Sequence, residues 1–539
     1  MKMRVKFNST AICISLLLAG SQAMAAPKKA KAKNTPAVVQ VQRSPELDKT
    51  FSKVIDRYRK GELQKKAMWD ALEPYTNTNT QLSDENQQTY LQVRSELLYL
   101  SGFPVLASEF AAQALALSQE PYAENHTPLW RILWTVSKVK SIQYILEDVA
   151  PKLQSKIPLP PEFGNNWSYI QGNAYLAEGK DQLAKAAYEK LVMQDRYFLS
   201  AQYQLSMMAI TANKSAEAES YLNAILNPTA QGLADIKRSE LIEMINYAHM
   251  ALARLYYQDQ KFIESAREYR QVRRSSNLFY EALFEQSWSL FMSGSLKHAL
   301  GTLYAVNAPY FREHFNPEAK VLESMIYYWM CRYDDARSVL AEFAEGNREA
   351  IDSLGVWLDR QRLTPETSYQ LFENLVTGVS GESIGIPTKV LSTAAESDVM
   401  LLVRDQYATL IEELTQLDTY GIYGQKTGYE TYKNQLLKRA ESRRNEIGRL
   451  FLEELQGLKE HFEELYSQSQ FLYLELLMSQ KEQILGRELH AETKVTRVTD
   501  KDAFSGWSKK TQSWQDTKNE YWWDEIGYQI IDVEPECKM

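Results

Sequence analysis

The sequence predicts an all-α protein: a solenoid of helical hairpins, then a long helical hairpin with coiled-coil spacing, then an aromatic C-terminal tail. Three observations carry the prediction. Gly and Pro are scarce, at 22 and 17 of 539 residues, whereas the good helix formers Ala, Leu, Glu, Lys and Gln are abundant. A pattern of small and large apolar residues returns every 34 residues through the middle of the chain. Beyond residue 395, apolar residues fall at alternating steps of three and four, the spacing of a helical seam. At 44% hydrophobic and 24% charged, the chain can bury a large core and is too long for one compact domain.

The first segment, residues 1–25, reads as a secretory signal peptide. Lys2, Arg4 and Lys6 precede an apolar run from Ala11 to Gly20, and Ala23-Met24-Ala25 supplies the small-x-small cleavage signal. Cleavage is expected between Ala25 and Ala26. The run is too short for a membrane-spanning helix, and Ser21 stands where a lipid-bearing cysteine would follow Leu18-Ala19-Gly20. The expected address is the periplasm, with no integral membrane span.

Residues 26–50 read as a basic, unstructured leader. Cleavage removes three basic residues and moves the net charge from −8 to −11; setting aside the five basic residues of 27–44 leaves a body from Pro45 onward at −16. A body of that charge is a poor match for nucleic acid. Cys13 leaves with the signal, so Cys331 and Cys537 remain. They form an even pair in an oxidising compartment, which leaves a disulfide between them open.

Residues 51–160 read as degenerate helical repeats: Ser95, Leu98, Gly102, Ala107, Ala111 and Ala114 fit one unit, and 129–149 reads as a drifted helical pair. Residues 161–345 hold the clear ones. Gly172, Tyr175, Gly179, Ala184, Tyr188 and Leu191 are matched 34 positions on by Ser206, Ala209, Asn213, Ala218, Leu222 and Ile225. Ala253, Tyr256, Ser265, Tyr269 and Val272 are matched at the same offset by Ser287, Leu290, Ala299, Leu303 and Val306. A fifth unit carries Ser324, Tyr327, Ala336, Leu340 and Phe343. Between the second and third units, extra residues near Gly232 to Glu243 lengthen a connection.

This period, with small residues at two crossing points, resembles the tetratricopeptide repeat (TPR) family. The resemblance implies that the first helix of each repeat lines a concave, partner-binding groove. Carried over by position, that places Tyr169, Tyr203, Met207, Tyr247, Met250, Arg254, Tyr257, Phe284, Trp288, Phe291, Tyr328 and Trp329 in the groove. Such an aromatic, Met-rich face suits apolar anchors of a peptide or helix, and core contacts between repeats are the alternative for each of these residues.

Residues 346–394 are expected to cap the solenoid with irregular helices and a Gly-rich linker. Gly381-Glu382-Ser383-Ile384-Gly385 matches G-x-S-x-G formally, but a helical pattern precedes it and Pro387 follows, so it reads as linker and not as a nucleophile elbow. No parallel-sheet strands are expected anywhere. Residues 395–490 form two helical arms, 397–417 and about 429–488, around a Gly-containing turn. In the second arm Leu455, Leu458, Phe462, Leu465, Ser469, Leu472 and Leu476 mark the seam. The turn favours an antiparallel hairpin that closes the seam internally. Packing back onto the solenoid, or self-association into an oligomer, are the other dispositions.

The tail, residues 491–539, concentrates aromatic side chains: 504–528 hold four of the eleven tryptophans. Left exposed it would be an adhesive patch, so Tyr521, Trp522 and Trp523 are expected to dock as a clasp on the protein's own helices, either the hairpin or the last repeats near Trp329, with an intermolecular anchor as the alternative. The stretch from Glu520 to Tyr528, with Cys537 close behind, is similar to the C-terminal end of TPR proteins of the envelope-spanning gliding machinery of myxobacteria and related predatory bacteria. That likeness implies a periplasmic scaffold role and supplies no catalytic residues. The six histidines (His126, His249, His298, His314, His461, His490) are scattered without metal-ligand spacing, and adjacent Asp524 and Glu525 diverge as side chains. No enzyme activity, cofactor or metal is expected. The expected partners are proteins of the cell envelope; an envelope-enzyme subunit with a docking arm and a coiled-coil oligomer are the competing readings.

Overall fold

The computed structural model describes residues 45–75, 82–118, 124–139, 165–228, 236–312, 314–360, 363–419, 427–485, 512–514 and 526–537. Within them the protein is all-α apart from one short pair of parallel strands. No helix among them is long and apolar enough to cross a membrane. The chain divides into two compact units: residues up to 205 with 402–444, and residues 206–401 with the chain from 445 on.

In the first unit, helices α1 (Pro45–Arg59), α2 (Lys65–Leu72), α3 (Asp84–Leu100), α4 (Pro104–Leu117) and α5 (Thr127–Val139) precede α6 (Asn166–Ala177) and α7 (Asp181–Tyr188). The helix α1 starts inside the expected leader, because Pro45 suits a first helical turn and Phe51 and Ile55 give that helix a face to bury. Ser83 caps α3 by accepting from the Asn86 amide, and Asp48 of α1 accepts from the Ser83 amide at 2.9 Å and from Asn86 Nδ2 at 2.8 Å. Pro104 opens α4, and the buried carboxylate of Glu413 accepts from the Val105 amide at 2.8 Å. A carboxylate there satisfies an orphan donor and meets the positive end of the helix dipole.

Eight described helix ends close on the same backbone device, Gly61 after α1 and Gly378 after the helix Pro365–Val376 among them, and six of the eight turn hairpins at the repeat positions. After α3, α6, α8 (Phe198–Thr211), α10 (Arg238–Gln258), α12 (Phe279–Met292) and α14 (Glu318–Trp329) one residue takes a positive φ: Gly102, Gly179, Asn213, Gln260, Gly294 and Cys331. Each time its amide donates to the carbonyl three residues back, and the next amide donates to the carbonyl five back, as in Gly179 to Leu176 and Lys180 to Tyr175. This pairing satisfies two end carbonyls and reverses the chain into α4, α7, α9 (Ser215–Leu226), α11 (Phe262–Tyr269), α13 (Leu296–Val306) and α15 (Tyr333–Arg360). The small repeat residues stand at the close approaches. Ser95, Ser206, Ala253, Ser287 and Ser324 are fully buried. The hydroxyls of Ser95 and Ser324 donate to the carbonyls of Ala107 and Ala336, each twelve residues on. A Cβ at Gly172 would overlap the Tyr188 ring.

The second unit continues with α16 (Pro365–Val376), α17 (Thr388–Ala395) and the start of α18 (Asp398–Thr419). Residues 427–444 of α19 (Thr427–Ile484) group with the first unit and 445–484 with the second. Several expectations change here. Of the residues near Gly232 to Glu243 expected to lengthen a connection, 238–243 form the first turns of α10. One 28-residue helix, α15, runs through the expected boundary at 345/346. Ser383 lies in a 3₁₀ turn, Gly381–Ile384, whose hydroxyl donates to Ser380 O.

The seam of α19 packs back onto the helices of its own unit rather than closing within a hairpin. Phe451 meets Phe372, Phe462 meets Phe315, and Leu472 and Leu476 join Tyr328, Tyr333 and Leu340. Lys459 pairs with Asp359 at 2.8 Å. The expectation of no parallel strands also fails: β1 (Gln512–Trp514) and β2 (Gln529–Ile531) pair in parallel, Gln512 opposite Gln529.

Candidate protein-docking surfaces

The twelve groove candidates do not make one open surface. In the first unit Tyr169 stacks on Tyr197, with centroids 5.0 Å apart, and Tyr203 is half-buried. In the second unit Met207, Met250 and Trp288 are 6%, 2% and 9% exposed, so they are core contacts and not presented anchors. Tyr247 packs on the cluster of Met250 and Ala282, and Tyr257 sits edge-on to Phe262. Phe284 and Phe291 lie half-buried against the core of α12 and α13. The Tyr328 hydroxyl is 3.3 Å from Ser479 Oγ of α19, so that helix occupies its place. Trp329 alone is exposed, at 40%, with Phe291 at its edge. The physical reason is packing: these large side chains fill the space between neighbouring helices.

Arg254 instead organises a polar cluster that composition alone does not reveal. Its guanidinium donates to Glu285 and Glu281 at 2.7–2.8 Å, and the Tyr269 hydroxyl donates to Glu285 at 2.6 Å. Burial would raise the Glu285 carboxyl, but Arg254 outweighs it and holds the group below the usual carboxylate range. Next to this cluster in the chain, Trp288 Nε1 of α12 donates to Glu318 of α14 at 3.1 Å, and His461 of α19 lies 3.7 Å from the same carboxylate. Burial, with Glu285 and Glu464 nearby, pushes Glu318 up to about 7. Glutamates at i and i+4 on α12, opposite the one Arg of α10's inner face, were the available signal in the sequence.

The chain's end forms the second surface. Residues 526–537 run as an extended strap over α11 to α15. Ile526 is buried among Leu283, Leu300 and Ile326. Gly527 takes a positive φ, and a Cβ there would meet Leu283 at 3.2 Å. The Tyr528 ring lies against two guanidinium groups, Arg270 at 4.3 Å and Arg274 at 5.1 Å. Arg274 also donates to Ile526 O at 3.1 Å. At Gly301 of α13 the strap backbone touches the helix, where any side chain would overlap the Gln529 carbonyl.

Further along, Lys297 pairs with Asp532 at 2.8 Å and Glu534 at 2.6 Å, and Arg332 pairs with Glu536 at 3.5 Å. The Glu536 amide donates to Met330 O at 2.9 Å. The strap ends in a disulfide from Cys537 to Cys331, the turn residue between α14 and α15. Tyr521, Trp522 and Trp523 lie outside the described residues; the segment next to them is the part seen to dock.

Against known proteins, no family model matches the chain and no curated sequence matches it.

Proposed function

We propose that the protein is a non-enzymatic, exported scaffold of the cell envelope that binds protein partners through a TPR-type array of hairpins. The observation that carries the reading is the single turn geometry repeated at six hairpins, with buried small residues at the matching close approaches. An array of that kind offers long, quasi-one-dimensional surfaces for segments of other proteins. The basic start, short apolar core and Ala23-Met24-Ala25 support export. The Cys331–Cys537 bridge supports an oxidising compartment, which the periplasm supplies. A trans-envelope motility complex is the assembly toward which the sequence near Trp522 and Trp523 points.

The test begins with the mature N-terminus, which should be Ala26. Cross-linked envelope partners are then compared between the wild-type chain and a Trp329→Asp variant of unchanged helicity. The reading requires a partner that the wild type retains and the variant loses. Retention of the N-terminal 25 residues, or partners indifferent to the array, would overturn it.

A second reading, self-association, is favoured by one observation. Phe471, Leu474, Met478 and Leu485 of the α19 region are 53–63% exposed at seam-like spacing, on the side away from the buried Leu476. Sedimentation of the full chain against Leu474→Glu separates the two, because only a self-associating chain changes mass.

A further inference from the structure

The strap path is a groove for an extended segment, and the residues along it state which kind. In order come an apolar pocket (Ile526), two guanidinium groups around a ring (Tyr528), a point of backbone contact at Gly301, then Lys297 and Arg332 facing carboxylates. On a body with an excess of acidic residues, this row of cations complements an acidic, aromatic ligand. The strap itself is an imperfect occupant. Gln529 is only 3% exposed, and neither its amide oxygen nor its amide nitrogen has a hydrogen-bond partner among the described residues. A buried amide without partners weakens binding by about tenfold, so the segment is held in part by its covalent end.

We propose that this groove is a redox-gated docking site for an extended segment of a partner protein with the strap's own chemistry: an apolar residue, a tyrosine two positions on, then acidic residues. In the oxidised chain the Cys331–Cys537 bond keeps the groove filled in cis. Both cysteines are partly exposed, and exchange requires an attacking thiolate to reach one of their sulfurs. A dithiol reductant opens the bond: one thiolate attacks a cysteine sulfur, the second resolves the mixed disulfide, and two electrons and two protons end on Cys331 and Cys537 while the reductant's sulfurs pair. The strap is then held by non-covalent contacts alone, and a better ligand displaces it. The inference rests on the strap's geometry and not on the side chains proposed for α10, α12 and α14, so loss of array partners leaves it standing.

The experiment uses a labelled peptide of residues 526–536 and the full mature chain, followed by fluorescence anisotropy. The oxidised wild type should not bind it. A full-length Tyr528→Ala/Cys537→Ser variant, whose strap is weakened and untethered, should bind at least about tenfold more tightly. A Gln529→Leu peptide should gain up to about tenfold more, and high salt should weaken both. Adding Gly301→Ala to the chain should abolish binding by closing the groove. Reduced wild type, which carries no substitution, should lose protease protection of its last residues once the Gln529→Leu peptide is added. Equal binding to oxidised and untethered chains, binding indifferent to Gly301→Ala, or a reduced strap that stays protected against saturating peptide would overturn the proposal.

Discussion

Replacing Gly301 by alanine puts the strap's contribution to a test in which the sign itself is informative. Gly301 lies in the interior of α13, where alanine is intrinsically better by about 1 kcal/mol because it restricts the unfolded chain. The added Cβ, however, overlaps the Gln529 carbonyl oxygen and falls 2.5 Å from Gln529 C and 2.9 Å from Ile530 N. These are backbone atoms tied at one side to β1 and at the other to the disulfide, so the strap must lift. Lifting it returns Ile526 to water, a loss of about 1.5–3 kcal/mol. Parting the Tyr528 ring from Arg270 and Arg274 adds about 0.5–1 kcal/mol for each cation. The Lys297 pairs are part-exposed and contribute little. Subtracting the helical gain leaves a net destabilisation of about 1.5–4 kcal/mol. Denaturant unfolding of the oxidised chain reads this number, and mass analysis after brief proteolysis reads the freed C-terminus. A variant as stable as the wild type, or more so, would refute the strap's role, since the helix effect would then act alone.

The other predictions follow from single groups. Glu318, up to about 7 in the fold, ordinarily ionises near 4.5, so the folded chain holds a proton that the unfolded chain has already lost between those values. Stability therefore falls as pH rises from 4.5 through 7, and Glu318→Gln should lose about 1–3 kcal/mol less than wild type between pH 5 and 8; parallel stability profiles would refute it. Cys331 has φ +58° at a turn where glycine is at ease. Both Cys331→Ser and Cys331→Gly lose the bridge, but the glycine variant should be the more stable by about 1 kcal/mol, by thermal unfolding under one set of conditions. Glu413→Ala removes the buried acceptor of the Val105 amide and should cost about 2–3 kcal/mol, while Glu413→Gln should cost less than half of that in the same denaturant titration.

Local structure is legible at single positions of the chain. Gly179, Gly294 and Asn213 mark turns because few other residues accept a positive φ, and that preference is written at the position itself. Ser95, Ser206, Ala253, Ser287 and Ser324 mark close approaches because helix packing there leaves no room for larger side chains, and a fixed period makes them visible. The helical arms after residue 395 were legible from their seam for the same reason.

What covers that seam was not legible, because leucines at three–four spacing are satisfied equally by a hairpin, a second copy or the chain's own earlier helices. Tertiary structure decided for Phe315, Tyr328 and Phe372. It also turned Met207, Met250 and Trp288 inward, since an apolar residue on a helix's inner face serves core and groove alike until its neighbours are in place. The strap is the extreme case. Gly301 and Gln529, or Lys297 and Asp532 at 235 residues' separation, carry no local signal of one another. Their contact exists because the stacked hairpins place a glycine, four cations and a cysteine along one line, which the chain's end then follows.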